Sequence, residues 1–144
     1  MAKLYMLVGL PGSGKSTIAE ELDGVHISSD EIRECLYGSA QVQPEDPKRV
    51  FAFMDSASED CLKDGRNVVY DATNLTEENR VRTITRLKLF ADEVICVQIT
   101  TPVEECLRRN ARRSRVVPEE RIRQMAEIFE TPTVQEGFSK LVLV

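Results

Sequence analysis

Apolar residues in this chain gather into short continuous runs rather than alternating with polar ones: Leu4 to Val8, Val25 to Ile27, Val68 to Tyr70, Val94 to Ile99 and Leu141 to Val144. Runs of that length predict strands, and strands apolar on both faces belong in a parallel sheet covered on both sides. All but the last are followed by a polar or glycine-containing turn and then a helical stretch. Helical periodicity shows in two stripes, Val50, Met54, Ala57 and Cys61 ahead of Gly65, and Ile122, Met125, Ala126 and Phe129 after Pro118; we read both as core. Ser28 with Glu31 fits a capping box, as does Thr101 with Glu104, where Pro102 at the first helical position has no N–H to lose. The pattern predicts an α/β fold, a five-stranded parallel sheet with helices on both faces.

At 144 residues the chain fits a single domain, 1–144, large enough to bury a core without disulfide or metal staples. No repeat, low-complexity segment or interdomain linker interrupts it. The N-terminal apolar run is broken by Gly9 and Pro11 before a signal peptide or membrane span forms, so a cytoplasmic protein with no membrane partner is expected. Cys35, Cys61, Cys96 and Cys106 are widely spaced, with no histidine near them to complete a zinc set; they read as buried thiols in a reducing compartment. The single histidine, His26, lies in an apolar stretch and reads as a core or strand-end residue, since no nucleophile or second ligand is arranged around it.

Net charge is −5, which argues against a protein that coats nucleic acid. The distribution is uneven, however. Between Arg108 and Arg123, arginines at 108, 109, 112, 113, 115, 121 and 123 face only Glu119 and Glu120, so this window carries about +5 and the remainder about −10. Local positive charge of this kind suits a polyphosphate or an oligonucleotide.

Gly9-Leu10-Pro11-Gly12-Ser13-Gly14-Lys15-Ser16 matches the pattern Gly-x-x-x-x-Gly-Lys-[Ser/Thr], and it lies after an apolar strand and before a helix starting near Lys15, as a phosphate-binding loop requires. Gly9, Gly12 and Gly14 allow the backbone to curl with N–H groups inward around a phosphate. Lys15 adds a mobile charge that follows the γ-phosphoryl group, and Ser16 offers a hydroxyl to Mg²⁺. Gly9, Gly12, Ser13, Gly14, Lys15, Ser16 and Thr17 are therefore candidate ATP-binding residues. The alternative, a glycine-rich turn with a solvated lysine, does not account for strand, loop and helix falling in register. No Asn-Lys-x-Asp guanine-reading motif is present, and the length leaves little room for the accessory elements of a motor.

On the acceptor side, Asp30 and Arg33 follow the second strand and share a helix face three residues apart. The carboxylate can take a hydroxyl's proton, and the arginine can hold an anionic group on the acceptor. The same pair also fits an acid serving the helix dipole with an i,i+3 salt bridge. The segment Gly38 to Pro47 reads as an exposed loop flanking this site. Asp71, at the end of the next strand, occupies the position of an acid near Mg²⁺, although aspartate also favours turns there; Thr73 and Asn74 fit caps of the following helix. Leu107 to Arg115 lies between two predicted helices, as a lid of about 107–117 would. Arg109 and Arg113, four apart, can converge on one side and reach the donor phosphates, and a solvated basic face or RNA-binding patch fits the same run. The loop Glu130 to Gly137 is a plausible neighbour of the adenine.

Taken in order, Gly-Leu-Pro-Gly-Ser-Gly-Lys-Ser-Thr from Gly9, Ser-Ser-Asp-Glu-Ile-Arg from Ser28, Asp-Ala-Thr-Asn from Asp71, and Arg109-Asn-Ala-Arg-Arg113 followed by Val-Pro resemble the polynucleotide 5′-hydroxyl kinase family over nearly the whole chain. The resemblance implies a P-loop kinase fold with a helical lid, and ATP and Mg²⁺ as cofactors. It also implies Asp30 as general base, Arg33 on an acceptor phosphate and Arg113 on the donor phosphates. Lys15, Asp30 and Arg113 are thus the candidate catalytic residues, Asp30 and Arg33 the substrate-binding pair, Ser16 and Asp71 the metal pair, and Arg109 a further ATP contact. The length is expected to leave end healing by phosphatase or ligase domains to a partner. Three functions follow: transfer of the γ-phosphoryl group of ATP to a 5′-hydroxyl end of DNA or RNA, transfer to a small-molecule or nucleotide hydroxyl, and a nucleotide-dependent RNA-binding switch without transfer.

Overall fold

The computed structural model describes residues 2–38, 48–114 and 116–144. Five strands, β1 (Lys3–Val8), β2 (Val25–Ser28), β3 (Val68–Asp71), β4 (Glu93–Gln98) and β5 (Lys140–Leu143), pair in parallel in the order β2-β3-β1-β4-β5. The helices are α1 (Lys15–Glu21), α2 (Ser29–Tyr37), α3 (Lys48–Lys63), α4 (Glu77–Leu87), α5 (Val103–Ala111) and α6 (Glu119–Ile128). Each predicted apolar run is a strand, and the sheet is parallel as expected.

Successive residues of a strand face opposite ways, so each central strand feeds two apolar layers. Leu4, Met6 and Val8 of β1 join Val50, Met54, Ile84, Leu87 and Phe138 on one face. Leu7 joins Ala19, Val69, Ile95 and Val97 on the other, where α1 packs Ile18 and Leu22. The fifth strand departs from the expectation of two covered faces: as an edge strand it leaves Val142 and Leu143 exposed. No helix among the described residues is long and apolar enough to cross a membrane.

The helix signals held in part. Ser28 caps α2, its Oγ accepting the Glu31 N–H at 3.4 Å. Thr101 does not cap α5, whose N-cap is Pro102 with no side-chain bond; its hydroxyl instead donates to the Ser13 carbonyl at 2.7 Å. Thr76, not Thr73 or Asn74, caps α4. In α3 the buried stripe runs through Val50, Met54 and Leu62, while Ala57 faces solvent. Ile122 of α6 is fully buried, and Met125, Ala126 and Phe129 are half-buried. Of the cysteines expected to be buried, Cys96 and Cys106 are, Cys61 is half-buried and Cys35 is exposed. Burial pushes the Cys96 thiol up to about 12 and the Cys106 thiol upward, so both stay unreactive thiols. Most of the expected Gly38–Pro47 loop falls outside the described residues.

One buried polar network had no sequence signature. Arg80 is fully buried, with Nε 2.6 Å and Nη2 3.1 Å from the two carboxylate oxygens of Glu136, while Nη1 donates to the Asn74 carbonyl at 2.8 Å. Asn74, at a left-handed φ of 49°, donates to the Leu7 carbonyl at 2.6 Å. The C-terminal part of the chain is thereby tied through α4 to the end of β1, from which the glycine-rich loop departs. A buried bidentate pair tolerates loss of one member poorly, because the survivor is an uncompensated charge. Arg80→Met is expected to lower stability by about 3–5 kcal/mol, read as a shift of the urea midpoint. The double variant Arg80→Met/Glu136→Leu should recover much of that loss. Equal losses in the single and double variants would show that the pair does not hold this junction.

Candidate active site

Outside the carboxyl ends of β1, β2 and β3 opens a cavity of about 730 Å³, the location at which open α/β sheets take ligands. Its walls come from the glycine-rich loop, the start of α2, the end of β3, and the stretch from α5 to α6. Lys15, Ser16, Thr17, Asp30, Arg33, Asp71, Arg109 and Arg113 all line it, as do Gly12 and Gly14. Gly9 and Ser13 do not. The Gly9 N–H is taken by the Thr73 carbonyl at 3.1 Å and the Ser13 N–H by the Leu10 carbonyl at 3.1 Å, so these two residues shape the loop from behind.

Packing explains the loop's composition. At Gly12, φ is 82°, and a Cβ would lie 2.4 Å from the Cys106 carbonyl oxygen of α5. At Gly14, φ is 103°, and a Cβ would lie 3.3 Å from Arg109 Nη1. The loop is thus pressed against α5, and the Ser13 carbonyl takes Thr101 Oγ1 at 2.7 Å and Arg109 Nη1 at 3.3 Å. The amide groups of Lys15, Ser16 and Thr17 open α1, where they have no intrahelical acceptor.

Lys15 Nζ donates to the loop's own carbonyls, Gly9 at 3.2 Å and Leu10 at 3.0 Å. Burial pushes its pKa down; Asp71 and Asp30 pull it back up, and Arg113 pushes it down again. These three groups, separated in sequence by up to 83 positions between Asp30 and Arg113, therefore converge electrostatically on one ammonium. Asp30 Oδ1 accepts from Arg33 Nη1 at 3.2 Å. The i,i+3 pair and the cavity position coexist at Asp30, so its pairing with Arg33 does not take it out of the cavity wall.

Of the arginine-rich run expected between two helices, 107–111 form the end of α5, and 112–114 leave it as a turn. Asn110, buried, binds the Val117 carbonyl with Nδ2 at 2.6 Å and the Val117 N–H with Oδ1 at 3.0 Å. That double bond closes the turn carrying Arg113 back over the cavity. Arg108 pairs with Glu105, and Arg123 with Glu104 and Glu119 on the surface; neither lines the cavity. The loop Glu130 to Gly137, expected beside the adenine, does not line it either; Glu136 from that loop is committed to Arg80.

Two cavity residues escaped the sequence. His26 Nε2 lies 2.7 Å from Asp71 Oδ2, an imidazole donating to a carboxylate; expected in the core or at a strand end, it is instead a half-buried residue within β2 that lines the cavity. Arg121, in the first turn of α6, lines the cavity beside Arg33 and Asp30. With one Asp71 oxygen engaged by His26, the other and the Ser16 hydroxyl remain to hold Mg²⁺. Among the described residues no cluster of three metal-binding side chains exists; the donor set fits Mg²⁺, which takes one or two protein oxygens and fills its shell with water and phosphate.

Fold and cavity together define a P-loop domain of the kinase type. The chain belongs to the AAA domain family AAA_33, whose model matches residues 4–132. It is 28% identical over 144 residues to the bifunctional polynucleotide phosphatase/kinase of Schizosaccharomyces pombe, covering 96% of this chain and 32% of that protein. It is 27% identical over 139 residues to the L-seryl-tRNA(Sec) kinase of Methanococcus maripaludis, covering 90% and 53%. A solved Pnkp1/Rnl/Hen1 RNA repair complex shares the fold, with a TM-score of 0.77 at 24% identity, covering 88% of this chain and 43% of that one. The chain thus spans between a third and about half the length of these relatives.

Gly12→Ala is expected to weaken nucleotide binding about tenfold or more, since the loop must back away from α5; one decade is about 1.4 kcal/mol. Gly65→Ala meets nothing within 4 Å at a similar φ of 78°, so it should cost about 1–2 kcal/mol of stability and leave nucleotide affinity unchanged. Titration with a fluorescent ATP analogue, paired with a thermal melt, separates the two; equal nucleotide affinities would show that contact with α5 does not shape the loop.

Proposed function

We propose that this chain is an ATP-dependent polynucleotide 5′-hydroxyl kinase. The observation that carries the reading is that Lys15, Asp30 and Arg33 line one cavity, with Asp30 close enough to act on the Lys15 ammonium and bonded to Arg33. A nucleotide-dependent switch has no use for an acceptor carboxylate and its paired arginine in the phosphate cavity. The 28% likeness to a polynucleotide phosphatase/kinase supports a nucleic-acid end as acceptor.

In this reading the amides at the start of α1 and Lys15 hold the β- and γ-phosphates, with Lys15 exchanging the carbonyls of Gly9 and Leu10 for phosphate oxygens. Ser16 and Asp71 would hold Mg²⁺, with His26 fixing the Asp71 carboxylate; the ion would supply neutralisation of phosphate charge. Arg33 holds a phosphate of the acceptor strand. Asp30 accepts the 5′-hydroxyl proton as that oxygen bonds to the γ-phosphorus, and the bond from phosphorus to the bridging oxygen breaks, releasing ADP. Arg113 meets the charge growing on the donor oxygens, and Arg109, already against the loop, steadies the same end.

The likeness to L-seryl-tRNA(Sec) kinase supports a second reading, a hydroxyl on a smaller group as acceptor with the donor chemistry unchanged. Labelled γ-phosphate from ATP, offered with Mg²⁺ to a 5′-hydroxyl oligonucleotide and a 5′-phosphorylated control, tests the first. Label should appear on the 5′-hydroxyl strand alone, and Asp30→Ala should reduce the rate by about 10²–10⁴ while ATP affinity changes little. Near-normal turnover in the variant would remove Asp30 as base, and no labelling of any oligonucleotide by the wild type would overturn the polynucleotide acceptor.

A further inference from the structure

The charged residues of the cavity fall into two groups. Lys15 feels Asp71, Asp30 and Arg113. Arg121 is pushed down by burial and by the Arg33 guanidinium beside it, and is pulled up by Asp30. One pole is thus built on Lys15 and Arg113 and the other on Arg33 and Arg121, and Asp30 acts on both. Arg33 and Arg121 come from separate elements, α2 and the first turn of α6, and both line the cavity wall.

Their pairing is unbalanced. Arg33 donates to Asp30 and to Ser29 Oγ. Arg109 is satisfied by Glu105 and the Ser13 carbonyl, and Arg123 by Glu104 and Glu119. Arg121 is half-buried, and no carboxylate or carbonyl among the described residues lies at bonding distance from its guanidinium. Asp30 bonds Arg33 and acts on Arg121 only through space, and like charges lining one edge of a cavity are unfavourable until an anion bridges them. A phosphate has the oxygens to accept from both planar forks at once.

We propose that Arg121 and Arg33 form a two-cation clamp for a phosphate carried by the acceptor, so that Arg121 makes the enzyme select hydroxyl acceptors bearing a phosphodiester or phosphomonoester next to the reacting nucleoside. The assignment of this pole to the acceptor rests on the function proposed above; the clamp's preference for a phosphate does not. Arg121 binds and takes no part in moving the proton, so its loss falls on acceptor affinity.

The test compares wild type, Arg121→Gln and the surface control Arg123→Gln on a nucleoside 3′-monophosphate and the matching phosphate-free nucleoside. Transfer from ATP is measured at saturating nucleotide, and binding of the 3′-monophosphate is measured separately by calorimetry without ATP. Arg121→Gln should raise the KM for the 3′-monophosphate about 10- to 100-fold, leave the KM for ATP and the poor activity on the bare nucleoside as they were, and reduce the salt slope of binding by about one. Arg123→Gln should match wild type throughout. A rise in the ATP KM instead, or equal losses on both acceptors, would overturn the clamp. If no acceptor is phosphorylated, the proposed function fails, and calorimetry still decides: weaker binding of the 3′-monophosphate by Arg121→Gln keeps the clamp, while equal binding, or none by wild type, removes it.

Discussion

The contact between the glycine-rich loop and α5 is the constraint on which the site depends. Gly12 lies so close to the Cys106 carbonyl that no side chain fits, the Gly9 N–H is fixed to the Thr73 carbonyl, and the Ser13 carbonyl is held by both Thr101 and Arg109. The loop is therefore held in shape by the protein's own contacts. Lys15 is folded back on that loop, where it is half-buried and burial pushes its pKa down. A polyphosphate entering the cavity offers an anion in place of two neutral carbonyls, so binding gains a charge-assisted interaction. The same helix whose first turn presses on the loop ends in the turn that carries Arg113, which couples loop geometry to the arginine proposed for the donor side.

A second layer of fixed polar contacts supports that arrangement from below. Asn74 grips the Leu7 carbonyl near the end of β1, Arg80 grips Asn74, and Glu136 grips Arg80. Each of these groups is buried, so each would be costly alone and is stable only in company. Tyr70 donates to Asp55 at 2.7 Å between β3 and α3, which braces the strand carrying Asp71. The cavity is thus lined by groups that open toward a ligand and backed by groups that are fully engaged with one another. Asp30 bonds Arg33 and acts on both Lys15 and Arg121, the arrangement that the proposed direct transfer uses.

The parts legible in the sequence were those whose signals are local. Continuous apolar runs announced the parallel sheet, the spacing from Gly9 to Ser16 announced the loop, and the i,i+3 spacing of Asp30 and Arg33 was enough to pair them on one helix turn. The parts that stayed hidden depend on contacts between distant segments. His26 meets Asp71 across 45 positions, Arg80 meets Glu136 across 56, and Thr101 is drawn from its helix to Ser13 across 88. A lone histidine in an apolar stretch carries no mark of the carboxylate that the next strand will bring to it. Arg121 was one arginine among seven, and only the fold separates those facing the cavity from those, such as Arg108 and Arg123, paired on the surface. Asn110 gave no local signal because its two bonds to Val117 exist only once the turn has closed.

If donor and acceptor meet in one cavity across Asp30, phosphorus passes between them in a single in-line displacement. The stereochemical course at phosphorus reads this directly. ATP made chiral at the γ-phosphorus with oxygen isotopes is incubated with Mg²⁺, the protein and a 5′-hydroxyl oligonucleotide, and the configuration of the product phosphoester is determined. Inversion is the expected result; retention would require a phosphorylated protein intermediate and would contradict direct transfer between the two poles.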